Sequence, residues 1–205
     1  MRLVCFSDIH ADYGFSLPEG DVLIFAGDFS GYSTELDVIV FNNLLKNLNF
    51  KHKIIVAGNH ELQIENNPYC LGLFTGCTYL QDKTIEIDGV KFYGSPWSLP
   101  FNNWAFNKSE DKLKIIFDNI PEGIDVLITH HPPYGILDYT PDGVHHGSIS
   151  LLERIKMIKP KVHIFGNIHF CGGLKIEWYG IDFYNVSLLN EAYNLINKPT
   201  VIDIS

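Results

Sequence analysis

Short apolar runs separated by polar loops set the rhythm of this chain. Residues 3–6, 22–26, 54–57, 126–129 and 162–165 are apolar or β-branched at nearly every position. Uninterrupted runs of that length predict strands buried on both faces, as in a parallel sheet. Helix-period stretches lie between some of them. The spacing predicts a helix over 33–48, with Leu36, Ile39, Val40, Leu44 and Leu48 on one stripe, Ser33 or Thr34 as its N-cap and Glu35 in its first turn. Two more helices are expected over 109–119 and 148–158, with Pro121 and Pro160 beyond their ends. Residues 84–87 and 90–93 flank Asp88-Gly89, a hairpin turn signal, and 174–178 and 181–185 flank Tyr179-Gly180 in the same way. Residues 201–204 read as a last strand. No repeat, low-complexity tract or linker divides the pattern, so one α/β domain over 1–205 is expected, of a mixed layered kind.

Composition narrows the classes. At 205 residues, 46% hydrophobic and 19% charged, the chain can bury a core without disulfides or structural metals. Its longest apolar runs are strand-sized, far below the ~20 residues that span a bilayer, so no membrane partner is expected. Residues 2–6 run straight into polar sequence, whereas a secretory leader carries about 7 to 15 apolar residues. Four cysteines with no CxxC pair suggest free thiols in a reducing compartment, and together these features predict a cytoplasmic protein. Acidic residues outnumber basic ones by 24 to 15, for a net charge of −9, which argues against a duplex nucleic-acid partner. An acidic protein facing a phosphate substrate must take its positive charge from elsewhere, and two divalent cations would supply it.

The chemistry sits directly after the strands. Residues 3–6 lead into Ser7-Asp8-Ile9-His10, 22–26 into Gly27-Asp28, 54–57 into Gly58-Asn59-His60-Glu61, 126–129 into His130-His131-Pro132-Pro133, and 162–165 into Gly166-Asn167-Ile168-His169. Ligands of open sheets bind beyond the carboxyl ends of strands, so these loops should converge. Carboxylate, amide oxygen and imidazole are a donor set for hard or borderline divalent ions. The D-x-H spacing of Asp8 and His10 puts both side chains on one side of an extended segment, and the same holds for Asn167 and His169. Glycines before Asp28, Asn59 and Asn167 permit tight turns and close backbone approach.

The ordered series DIH, GD, GNHE, a separate His and GxxH resembles the calcineurin-like metallophosphoesterase superfamily, whose signature reads D-x-H, G-D, G-N-H-[DE], H, G-H-x-H. Residues 130–138, 147–166 and 184–187 are most similar to its small metallophosphoesterase-domain-containing phosphodiesterases. The resemblance implies a four-layer fold: two mixed β-sheets packed as a sandwich with flanking helices. It implies two divalent ions, Mn²⁺ first, with Fe or Zn as alternatives. Asp8, His10, Asp28 and His169 would hold one ion; Asp28, Asn59 and His130 would hold the other. A metal-bridging hydroxide would attack phosphorus, and His60, beside Asn59, would protonate the leaving oxygen or stabilise the equatorial oxygens. The implied substrate is a small phosphate ester, a diester such as a cyclic nucleotide before a monoester.

One position departs from the signature. Where the family has its first G-H-x-H histidine this chain has Asn167, either a weaker amide ligand of the second ion or a bystander. That departure motivates a second reading, a metal- and nucleotide-binding regulatory protein with weak or no turnover. A nuclease of the superfamily would need a basic groove that this composition lacks. His131 stands where near relatives often have Gly. His145 and His146 read as a solvated loop, with substrate contact as the alternative, and His52 as a surface residue. Glu61 either orients His60 or is solvated. The aromatic stretch 97–104 reads as loop packing before base stacking.

Overall fold

Each of the five apolar runs carries a strand in the computed structural model, which describes residues 1–204; Ser205, the end of the expected domain, lies outside them. The elements in order are β1 (Arg2–Phe6), β2 (Val22–Ala26), α1 (Glu35–Asn47), β3 (His52–Val56), α2 (Leu62–Asn66), β4 (Thr78–Tyr79), β5 (Lys83–Ile87), β6 (Val90–Ser95), α3 (Glu110–Phe117), β7 (Val126–Thr129), α4 (Ile149–Ile158), β8 (Val162–Phe165), β9 (Lys175–Trp178), β10 (Ile181–Asn185) and β11 (Thr200–Asp203). Both hairpins form where the turn residues predict them: Asp88-Gly89 and Tyr179-Gly180 all have positive φ, the backbone such two-residue turns require. The short strand β4 has no strand signal in the sequence.

The strands form two mixed sheets, ordered β11-β1-β2-β3-β4 and β5-β6-β7-β8-β10-β9. β1 to β4 pair in parallel, as do β6, β7, β8 and β10, while β11, β5 and β9 add antiparallel edges. Side-chain alternation along the strands then builds three apolar layers. Leu3, Ile24 and Val56 of the first sheet meet Phe92, Ile128 and Ile164 of the second between the sheets. Phe6, Phe25 and Ile55 pack outward against α1, and Leu127, Phe165 and Phe183 pack outward against α3 and α4. Helix, sheet, sheet and helix make the expected four layers. No helix among the described residues is long and apolar enough to cross a membrane.

Thr34 caps α1 in a reciprocal capping box with Asp37. The buried face of that helix differs from the expected stripe. It consists of Val38, Phe41, Asn42 and Leu45, whereas Leu36 is 65% exposed. The ring of Phe41 decides the rotation: it stacks on Phe29 with centroids 4.5 Å apart and packs on Phe25 at 4.7 Å. Burying that large ring outweighs covering the aliphatic residues at 36, 39 and 40.

Candidate metal centre

The loops after β1, β2, β3, β7 and β8 meet where the carboxyl ends of the two sheets come together. His130 Nδ1 donates to the carbonyl of Ala26 at 2.8 Å, and the backbone N–H of Asn167 donates to Asp8 at 3.1 Å, so each bond ties one sheet to the other. Asp8, His10, Asp28 and Asn167 all have positive φ. The left-handed region is costly for residues with a Cβ, and such residues cluster where a site dictates side-chain direction. Asp8 and His10 therefore share a side because the chain turns sharply there, not because it is extended. Asn167 and His169 differ from expectation in the same way, since His169 opens a short 3₁₀ turn. At Gly58 and Gly166 a side chain would collide with Asp28 and Asp8 respectively, which is the close approach expected of those glycines.

Side chains that can donate electron pairs converge in this space. Ligand atoms of Asp8, His10 and His169 lie within 4.8 Å of one another, as do those of His10, Asp28 and His60, and those of Asp8, Asp28 and His130. Asp28 Oδ1 is 3.4 Å from His130 Nε2, and its Oδ2 is 3.7 Å from His10 Nε2 and 4.0 Å from His60 Nε2. Asp8 Oδ1 is 3.4 Å from His169 Nε2. Burial opposes ionisation of Asp28, but His130, His60 and His10 hold its carboxyl well below the usual range. Burial likewise works against a charged His130, yet Asp28 pushes it up to about 10.

The donor set fits divalent ions by its own geometry. His130 and His169 each donate Nδ1–H to a carbonyl, of Ala26 at 2.8 Å and of Asn190 at 3.0 Å, which fixes Nε2 as the ring's inward-facing atom. His130 Nε2 faces Asn59 Oδ1 at 2.9 Å, and His169 Nε2 faces His10 Nε2 at 3.4 Å. Lone pairs facing at those distances need a proton or a cation between them. Mixed N and O donors around two buried carboxylates suit borderline divalent metals.

The remaining sequence candidates fall in different places. Asn167 turns its amide toward His131, with Nδ2 2.8 Å from the ring's Nδ1. Burial, reinforced by His130, drives the His131 pKa down to about 3, so that ring is neutral and accepts. His163 is a core residue bonded to Thr129 Oγ1 at 2.8 Å. Trp97 packs on Phe106, while Phe101 and Trp104 line a cavity of about 650 Å³ over the cluster, and Trp104 lies 4.0 Å from the His60 ring. His145 and His146 are exposed on their loop, as expected, and also line the same cavity. Tyr193 escaped the sequence reading. Its ring packs 4.8 Å from His10 and 5.3 Å from His169, on a turn held by Asn190, and nothing in the local pattern marks it.

Glu61 does neither of the things expected of it. It is buried, and its carboxylate accepts from the backbone N–H of Asp28 at 2.9 Å, Ser30 at 3.0 Å and Gly58 at 2.5 Å. It thus pins the loop after β2 to the loop after β3. Burial, then the neighbouring Asp28, pushes its pKa up to about 8, with the three N–H bonds acting in the opposite sense. Glu61→Ala strands three buried donors, at about 1–3 kcal/mol for each unsatisfied group. A loss of about 3 kcal/mol or more is expected in denaturant melts of the metal-free protein, and a much smaller loss for Glu61→Gln, which keeps an acceptor oxygen.

The sequence matches the Calcineurin-like phosphoesterase family over residues 1–171. It is 35% identical over 237 residues to metallophosphoesterase domain-containing protein 1 of Homo sapiens, covering 99% of this chain and 71% of that protein. It is 36% identical to UPF0046 protein C25E10.12 of Caenorhabditis elegans, covering 100% of this chain and 81% of the relative. The fold is similar to the crystal structure of TT1561 of Thermus thermophilus, with a TM-score of 0.62 at 12% identity and 98% of each chain covered.

Proposed function

The chain belongs to the calcineurin-like phosphoesterase family, and from that premise we propose that it is a metal-dependent phosphodiesterase acting on small, nucleotide-type phosphate esters. The observation that carries this reading is the convergence of Asp8, His10, Asp28, Asn59, His130 and His169 at the floor of an aromatic-walled cavity. Asp8, His10, Asp28 and His169 would hold one ion, and Asp28, Asn59 and His130 a second, with Asp28 shared. Such ions, Mn²⁺ before Fe or Zn, would acidify a water and neutralise charge on the phosphoryl oxygens.

The protein's own residues do the rest. His130 and His169 keep their inward nitrogens aimed through the carbonyls of Ala26 and Asn190. Glu61 holds the Asp28 and Asn59 loops in register. His60 packs against Trp104; from there it would face the phosphoryl group and hydrogen-bond its oxygens or protonate the leaving one. A cavity of about 650 Å³ falls within the range of about 300–1,000 Å³ that takes small ligands. Among the described residues lining it there is no Lys or Arg, in keeping with bound ions as the counter-charge of the substrate. Unpaired Cys5, Cys70, Cys77 and Cys171 support a cytoplasmic setting.

A second reading, a regulatory protein that binds metal and nucleotide with little turnover, draws on the Asn167 amide turned to His131. One experiment separates the two. Mn²⁺ is titrated into wild type and Asn167→His while metal stoichiometry and hydrolysis of bis(p-nitrophenyl) phosphate and p-nitrophenyl phosphate are followed. The diester should turn over faster, and Asn167→His should raise second-ion occupancy and turnover at limiting Mn²⁺. A faster monoester would overturn the diester preference. Two tight ions in wild type with no gain in the variant would overturn a weak second site. Nucleotide binding without hydrolysis would favour the regulatory reading.

A further inference from the structure

The cavity wall carries a second polar unit outside the ligand cluster. Asp138 is completely buried. Its Oδ2 accepts from the backbone N–H of Gly135 and Gly147, each at 2.9 Å, and its Oδ1 accepts from His145 Nδ1 at 2.6 Å. The loop between them is ordered. His146 N–H donates to the Asp138 carbonyl at 2.9 Å, Thr140 N–H to that of Val144 at 3.1 Å, and Tyr139 and His145 pair as a short antiparallel bridge. The rings of Tyr134 and Tyr139 flank the imidazole at 5.4 and 6.3 Å.

A buried carboxylate is costly unless it is paired, and here the pairing has a direction. Two backbone N–H groups close the loop, and the remaining oxygen commits Nδ1 of one imidazole. The nitrogen left free is Nε2, on a ring that lines the cavity with its side chain 41% exposed. A carboxylate fixing the tautomer and angle of a histidine is an arrangement suited to proton transfer.

We propose that His145 is a catalytic residue that protonates the departing ester oxygen, with Asp138 as its positioning residue. This inference rests on the hydrolase reading above. In an in-line displacement the leaving oxygen departs opposite the attacking water. With water on the side of the ligand cluster, the leaving group occupies the cavity that His145 lines. The P–O bond breaks, its electron pair stays on the departing oxygen, and the Nε2–H proton of the imidazolium moves to that oxygen. His145 is left neutral, with Nδ1–H still on Asp138. The half-exposed ring regains a proton from solvent, where the proton of the attacking water is released. His60 is then left to the phosphoryl oxygens.

The test is leaving-group dependence. Mn²⁺-loaded wild type, His145→Gln and Asp138→Asn are assayed on methyl aryl phosphates running from p-nitrophenyl to unsubstituted phenyl, and on a 2′,3′-cyclic nucleotide, whose leaving group is an alkoxide. p-Nitrophenolate leaves without a proton, so His145→Gln should fall within about threefold of wild type there and lose about 10²-fold or more in kcat on the phenyl and cyclic esters. Asp138→Asn should show the same slope with smaller losses and little change in KM. Imidazole ¹⁵N shifts of the metal-free proteins report whether Asp138→Asn frees the His145 ring while the fold stays intact. Equal loss across the series, or none, would overturn the assignment. Absence of turnover on every ester by wild type would overturn the hydrolase reading itself, and this inference with it.

Discussion

Asp28→Asn is expected to empty the metal centre and abolish hydrolysis. Asp28 is the carboxylate that three histidines approach, at 3.4, 3.7 and 4.0 Å, and it belongs to two of the three ligand groups. An amide keeps its shape but removes the charge that balances a dication. Changing a residue that merely supports a ligand costs about 10- to 100-fold in metal affinity, so a shared ligand should exceed about 100-fold. Asn59→Ala removes a neutral donor that the proposed arrangement gives to one ion only, and should lose less. The fold should survive, because the backbone of Asp28 is held by Glu61 whatever its side chain. Metal analysis after gel filtration, beside circular dichroism, checks both halves. Equal metal loss in the two variants would remove Asp28 from the shared position.

The second large effect is expected at His60, and it is of another kind. His60 Nε2 is the most distant of the three rings from Asp28, its side chain is 17% exposed, and it packs on Trp104 at the cavity. His60→Ala should keep both ions and lose about 10²-fold or more in rate, the scale for a group that acts on transition-state charge or proton transfer. That is about 2.7 kcal/mol of barrier. The loss should be the same for p-nitrophenyl and phenyl esters, in contrast to His145→Gln. The competing outcome is written into the geometry, since His10, Asp28 and His60 are close enough to share an ion. Collapse of metal content in His60→Ala would make it a ligand.

Much of this protein was legible in its residues because the signals are local. A buried parallel strand reads as a run such as 22–26 that is apolar at every position, and the Asp88-Gly89 turn announces its hairpin. Strand ends that each deliver Asp, Asn or His predict convergence, since a parallel sheet brings its carboxyl ends to one edge. The buried face of α1 was less legible. Several apolar residues compete there, and the winner depends on what Phe41 finds across the interface.

The main strands, the metal-ligand candidates and the mixed layered class were thus determined by periodicity and motif alone. What lay across the space between loops was decided only by the tertiary structure. Glu61 looked like a neighbour of His60, yet it binds the backbone of another loop, because its side chain turns inward to three unsatisfied N–H groups. Asn167 read as a weak ligand or a bystander, and nothing local showed that its amide meets His131, 36 residues away. Asp138 and His145 carried no signal of pairing, and Tyr193 none of covering His10. Local propensity depends on a few neighbouring residues, whereas the pairing of buried polar groups depends on which loops the folded sheets bring within about 3 Å of each other.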